Sequence, residues 1–159
     1  MAKIKLSEYL DRLEELEDRE AVANRDYQQE LFLEYVVRDS NFPERRAELL
    51  RDFKAGKELT GPKGLRRKLG AIDLEYFGRA YLAHYFVRKS PAFHGELDRI
   101  WREGVLKGLD PTVAAKEISR ADGCRRAIEA PRGHAKSTTF TFKDSIHAAV
   151  YAYKHYEII

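Results

Sequence analysis

The sequence predicts an α/β chain: a helical N-terminal region, followed by the first strand–loop–helix–strand unit of a core cut short at Ile159. Three observations predict it. From Ser7 to Ile118, apolar residues recur at helical spacings between proline starts and glycine stops. Cys124 to Glu129 is a short, strand-like run. Lys136 to Tyr153 carries Phe142, Ile146, Ala149, Val150 and Tyr153 at i, i+4, i+7, i+8 and i+11, the stripe of one helix face.

The chain has 159 residues, enough for one ordinary domain with a real core. Apolar residues make up 43 % and charged residues 35 %, a globular rather than a disordered composition. No apolar run approaches the ~20 residues that cross a bilayer. The start, Met1-Ala-Lys-Ile-Lys, leads into an acidic helix and not into a signal sequence. A single cysteine, Cys124, excludes a disulfide framework and suggests a reducing, intracellular setting. The net charge of +3 is unevenly spread: residues 1–60 hold 11 basic and 15 acidic side chains, and residues 61–159 hold 18 and 11. A basic second half suits a polyanionic partner, nucleotide or nucleic acid.

Residues 1–60 read as a helical region of unassigned role. Ser7 is a suitable N-cap, with Glu8 and Asp11 at the positive helix end. Asn41-Phe42-Pro43 restarts a helix through Leu49, Leu50 and Phe53 to a stop at Gly56. Residues 56–64 hold three glycines and a proline and form the candidate linker. Residues 61–120 read as a helical lead-in. Arg66-Arg67-Lys68 is placed either to touch phosphates or to solvate a loop end. Asp73 to Phe86 is an aromatic-rich helix, and Ser90-Pro91 starts another from Ala92 to Leu106, with Phe93, Leu97, Ile100 and Trp101 near one face. Asp110-Pro111 repeats that start, and Asp122-Gly123 turns the chain into the strand. Residues 121–159 form the third segment, ending in a strand stub, Tyr156-Glu-Ile-Ile.

Between strand and helix stands Ala130-Pro131-Arg132-Gly133-His134-Ala135-Lys136-Ser137-Thr138. A phosphate-binding loop presents backbone N–H groups with little side-chain bulk, an ammonium for the β/γ oxygens and a hydroxyl for Mg²⁺. In the pattern G-x-x-x-x-G-K-[ST], Ala130 and Ala135 fill the glycine positions and Lys136 and Ser137 the last two. Gly133 adds a flexible position, and the following helix points its positive end at the phosphates. ATP with Mg²⁺ is the expected cofactor. The fold expectation is thus the opening β–P-loop–α–β unit of a RecA-like P-loop ATPase core. The five histidines form no metal-ligand cluster by spacing.

This loop closely resembles the ATP-binding loop of the large subunit of tailed-phage terminases, the DNA-packaging motors. Tyr76-Phe77-Gly78-Arg79-Ala80-Tyr81-Leu82-Ala83-His84-Tyr85-Phe86 and Ser90-Pro91-Ala92-Phe93-His94 are similar to the region preceding it in such proteins. The resemblance covers roughly residues 72–159. It implies that Lys136 binds the β/γ-phosphates, that Ser137 ligates Mg²⁺ and that Thr138 reaches the α-phosphate. Arg132 becomes the in-loop arginine that senses or stabilises the γ-phosphate, a role suited to a planar guanidinium. Phe93 and His94 stand where such motors keep groups that contact adenine. The implied partners are double-stranded DNA, the terminase small subunit, the portal protein and further copies in a ring, in the host cytoplasm.

Hydrolysis also needs a strand ending in acidic residues, one for Mg²⁺ and one for water. Nothing after Lys136 has that form: Asp144 lies in the loop's own helix and Glu157 in the strand stub. The family's nuclease centre has no counterpart either. The expectation is an N-terminal portion, inactive as an ATPase by itself, whose segment 124–159 exposes apolar surface. Two other readings stay open: a helical docking or DNA-binding module with a non-functional loop, or another P-loop enzyme such as a helicase or small kinase.

Overall fold

The computed structural model describes residues 24–105, 127–129 and 137–151. Among them the chain is helical and contains no strand. Helix α1 covers residues 24–36, α2 Pro43–Lys54, α3 Leu65–Ile72, α4 Leu74–Tyr81 and α5 Ala92–Val105. The last helix, α6, opens as a π-helical segment, Thr138–Asp144, and continues as α-helix, Ser145–Val150. Helical content agrees with the first part of the predicted fold. Of the predicted strand, Ala127, Ile128 and Glu129 are described and pair with no neighbour among the described residues. The rest of that strand, residues 124–126, and the stub at 156–159 lie outside the described residues, as do the early helix around Ser7 and the one after Asp110.

The elements start and stop where local chemistry dictates. Pro43 opens α2, its missing N–H costing nothing in the first turn. Phe42 precedes it with φ 57°, a left-handed conformation unusual for a residue with a side chain. Gly56 (φ 78°) closes the turn after α2 at no steric cost. Asp73 separates α3 from α4: its carboxylate accepts from the Tyr76 amide at 2.9 Å and caps α4. The expected helix Asp73–Phe86 therefore begins as read but ends at Tyr81, with the chain turning through 83–85. Helix α3 falls in the expected helical lead-in, at the basic run read as touching phosphates or solvating a loop end; its Leu65, Leu69 and Ile72 are core residues.

One core joins α1 to α4. Leu31, Phe32, Tyr35 and Val36 of α1 meet Leu49 of α2, Leu65, Leu69 and Ile72 of α3, and Tyr76 and Ala80 of α4. Phe32 packs on Phe53 at 5.3 Å between ring centroids, and Tyr35 on Tyr76 at 5.7 Å. This core crosses the glycine-rich loop 56–64. That loop marks a change of composition, while the packing on its two sides is continuous. Its backbone is tied down, with the Leu65 amide donating to the Glu58 carbonyl at 3.0 Å and that of Arg66 to Leu59 at 2.9 Å.

Within the apolar core runs a polar pillar. Arg46, 3 % exposed, donates to the Asp73 carboxylate at 2.7 Å, to the Asn41 carbonyl at 2.7 Å and to the Tyr35 carbonyl. Asn41 in turn donates to the Ile72 carbonyl at 2.6 Å. Every contact of Arg46 satisfies a group at the end of α1, before α2 or between α3 and α4, so one guanidinium fixes three junctions. Removing one partner of such a pair leaves a buried, uncompensated charge. Arg46→Ala is expected to cost about 3–5 kcal/mol, read as a lowered urea midpoint with unchanged slope. A loss below about 1 kcal/mol would show the pillar to be dispensable.

Candidate functional site

The loop residues Ala130, Pro131, Arg132, Gly133, His134, Ala135 and Lys136 lie outside the described residues. The described part of the candidate site is the helix that follows. Ser137, the first described residue of that helix, is exposed, its side chain makes no capping hydrogen bond among the described residues, and the first turn of the π-helical segment contains no acidic residue. An exposed hydroxyl without a neighbouring carboxylate suits an Mg-polyphosphate. Thr138 is half-buried one residue on.

What holds α6 in place is its buried face, and that face is polar. Thr139, Lys143, Asp144, Ser145, His147 and Ala148 are buried. The apolar stripe read from the sequence is not the buried face: Phe142 and Ile146 are half-buried, Ala149 is exposed and Val150 is 44 % exposed, while Tyr153 lies outside the described residues. The offset has a geometric cause. The stripe was read at 3.6 residues per turn, but the π-helical segment holds an extra residue per turn and rotates the phase of everything after it. The Ser145 hydroxyl bonds the Phe140 carbonyl, five residues back, at 3.1 Å within this wide turn.

Lys143 is the centre of the packed face. Its Nζ donates to the Asp98 carboxylate of α5 at 2.5 Å, with both side chains nearly inaccessible. Its stem crosses Gly78 of α4, where an added Cβ would stand 3.0 Å from Lys143 Cδ and 3.2 Å from the Phe86 ring. Only a glycine lets the two helices come this close without displacing one of those side chains. The ammonium also lies 5.8 Å from the centre of the Phe86 ring.

Asp144 is fully buried beside this pair. It lies 3.5 Å from Lys143 Nζ, long for a hydrogen bond, and neither of its oxygens has a hydrogen-bond partner among the described residues. Burial raises its pKa to about 8, with Lys143 opposing and Asp98 adding to the rise. Asp144 is therefore a neutral acid at pH 7, closed off from solvent, and unsuited to hold Mg²⁺. Arg102 of α5 faces the same cluster and is itself lowered by burial.

His147 fastens the other end of α6. Its Nε2 lies 3.0 Å from the Gly70 carbonyl and 3.2 Å from that of Ala71, so the proton is on Nε2, while Nδ1 has no partner among the described residues. Burial lowers its pKa to about 4, keeping the ring neutral. Phe77 packs edge-on at 5.1 Å, and Tyr151 follows at 4.8 Å. Sequence spacing singled out His147 only to dismiss it as a metal ligand; its role is structural. No group of residues able to hold a metal occurs among the described residues.

Phe93 and His94 stand in the first turn of α5, half-buried, with their rings 5.9 Å apart. Two contacts fix how α5 lies on α6: Asp98 on Lys143, and Trp101 on Phe140 at 6.2 Å. They run antiparallel, so the first turn of α5 is directed toward His147, about 15 Å along α6 from Ser137 at 1.5 Å per residue. Among the described residues the structure thus brings Ser137 and Thr138 together and leaves Phe93 and His94 at the far end of the helix.

No family model matches the chain, and no curated protein or solved structure is significantly similar to it. No described helix is long and apolar enough to cross a membrane.

The two perturbed groups on α6 act in opposite senses. Between its ordinary 3.8 and about 8, Asp144 is protonated in the folded chain and ionised in the unfolded one, so its contribution to stability falls as pH rises. Between about 4 and 6.5 the unfolded chain protonates His147 and the folded chain does not, so that contribution rises with pH. Above 6.5 Asp144 acts without this opposition. The melting temperature is expected to fall from pH 6.5 to 8, and Asp144→Asn to reduce the fall, with burial of Asp98 raising its pKa in the same sense. A wild-type melting temperature that rises over this interval, or an unchanged fall in the variant, would contradict the assignment.

Proposed function

We propose that the chain is the ATP-binding N-terminal part of a DNA-packaging motor ATPase of the terminase large-subunit type. The observation that carries this reading is the motif Ala130–Thr138, of which the described end, Ser137 and Thr138, is helical. In this reading the loop amides and Lys136 bind the β/γ-phosphates, Ser137 ligates Mg²⁺, Thr138 reaches the α-phosphate and Arg132 meets the γ-phosphate. Mg-ATP, when bound, supplies the phosphoryl group whose hydrolysis would drive the motor; the acidic residues that position water are not found among the residues after Lys136. The chain's own task is binding and orientation. Helix α6 is held by Lys143, His147 and their partners, so Ser137 and Thr138 keep a fixed position relative to α3, α4 and α5. DNA, the small subunit, the portal and a ring of like subunits are the partners of this proposal, and the host cytoplasm is its setting.

A second reading draws on the core shared by α1 to α4, which is independent of the loop: a helical module that docks on a motor component or on DNA. The discriminating experiment is a Mg-ATP titration of the chain by calorimetry, with Lys136→Ala beside it. The ATPase reading expects saturable, Mg-dependent binding weakened at least about tenfold in the variant, since the ammonium contacts the most highly charged phosphates. Absence of binding in a chain that circular dichroism shows to be folded would favour the docking module instead.

A further inference from the structure

The turn before α3, α3 itself and the end of α6 border an open cavity of about 320 Å³. Pro62, Lys63, Arg67, Lys68, Ala71 and Tyr151 line it, with no carboxylate among the described residues. Lys63, Arg67 and Lys68 are exposed. Lys63 and Arg67 have no ion-pair partner among the described residues, and Lys68 has only a loose one, Asp52 at 3.9 Å. We propose that this cavity holds the sugar-phosphate backbone of duplex DNA.

Three features favour that ligand. The cations are presented by a rigid frame. Gly61 (φ 90°) and the Gly64 amide, bonded to the Gly61 carbonyl at 3.1 Å, close the turn that carries Lys63. Gly64 itself admits no side chain, because a Cβ would lie 2.3 Å from the Thr60 carbonyl oxygen. The Tyr151 hydroxyl donates to the Arg67 carbonyl at 2.9 Å and fixes the start of α3 against α6. Second, the middle residue of the basic run is withdrawn from the surface: Arg66 donates to the Ala80 carbonyl at 2.8 Å and stacks on Tyr81 at 4.9 Å. The run thus divides into one structural arginine and cations aimed outward. Third, three cations facing one open cavity exceed what a single monoester needs, and match successive singly charged phosphates. The described lining is dominated by cations, whose first partners on a duplex are its phosphates.

The site names where the duplex of the motor reading would be held, and rests on that reading for the choice of duplex DNA. The test is fluorescence anisotropy with a labelled 30-base-pair duplex of random sequence, without nucleotide, across a salt series. The proteins are the full chain, the triple variant Lys63→Ala/Arg67→Ala/Lys68→Ala, and a control, Lys54→Ala/Arg88→Ala, that removes exposed cations elsewhere. Each lost phosphate contact flattens the log–log salt dependence by about 0.9. The triple variant is expected to lose between about two and three such units and at least tenfold in affinity at 50 mM salt, with the control unchanged. Charge-preserving Lys63→Arg/Lys68→Arg should keep the wild-type slope. Equal slopes in wild type and triple variant, or equal loss in the control, overturns the site. So does preferential binding to vesicles of anionic lipid lost in the same triple variant. Lys136→Ala separates this result from the ATP reading: duplex binding that survives it upholds the site even where ATP binding fails.

Discussion

Lys143 is the residue on which the arrangement depends. Its ammonium reaches from the helix after the candidate phosphate loop into the space between α4 and α5, where Asp98 receives it. Taking an ammonium and a carboxylate out of water is expensive, and only close geometry offsets the cost. The chain supplies that geometry with a glycine at position 78 and an aromatic ring, Phe86, alongside. A ridge of leucines would bury α6 as well, but at several near-equivalent rotations. A buried ion pair allows one rotation, because any other leaves a charge unpaired. The position of Ser137 follows from that choice.

The same logic appears twice more. Arg46 and Asp73 tie the ends of α1, α3 and α4 inside the first core, and His147 ties α6 to the last carbonyls of α3. The helices are short, eight residues each for α3 and α4, and marginal by themselves. Their ends, where amides and carbonyls lack helical partners, are the points that these buried polar side chains satisfy. Tyr151 extends the series by binding the Arg67 carbonyl, so that one helix touches both the candidate nucleotide loop and the basic cavity.

Much of the helical organisation was legible in the sequence. The restart at Pro43, the stop at Gly56, the helix beginning at Asp73 and the span of α5 follow from residues whose backbone or side-chain chemistry leaves few options. The end of α4 was not legible, because Leu82 to Phe86 are as apolar as the helix before them and turn only through tertiary packing. Helix α3 was hidden by its charges: Arg66, Arg67 and Lys68 masked the spacing of Leu65, Leu69 and Ile72. The buried face of α6 was not legible for a deeper reason. Periodicity assumes 3.6 residues per turn and apolar cores, and this helix has a π turn and buries a lysine, an aspartate and a histidine. Of the candidate site, the motif itself was legible as residues; the distance between Ser137 and the Phe93–His94 pair depends on the antiparallel crossing of α5 and α6, which no local pattern records.

The most direct test is a double-mutant cycle on the pair that sets α6, using Lys143→Met, Asp98→Leu and both together, with stability from urea unfolding at pH 6.5. Each single variant strands a buried charge and is expected to lose about 3–5 kcal/mol, while the double variant replaces the pair with apolar volume and loses far less than their sum. Strictly additive losses would contradict the account, for they would mean that Lys143 and Asp98 act separately and that something other than their pairing positions the helix.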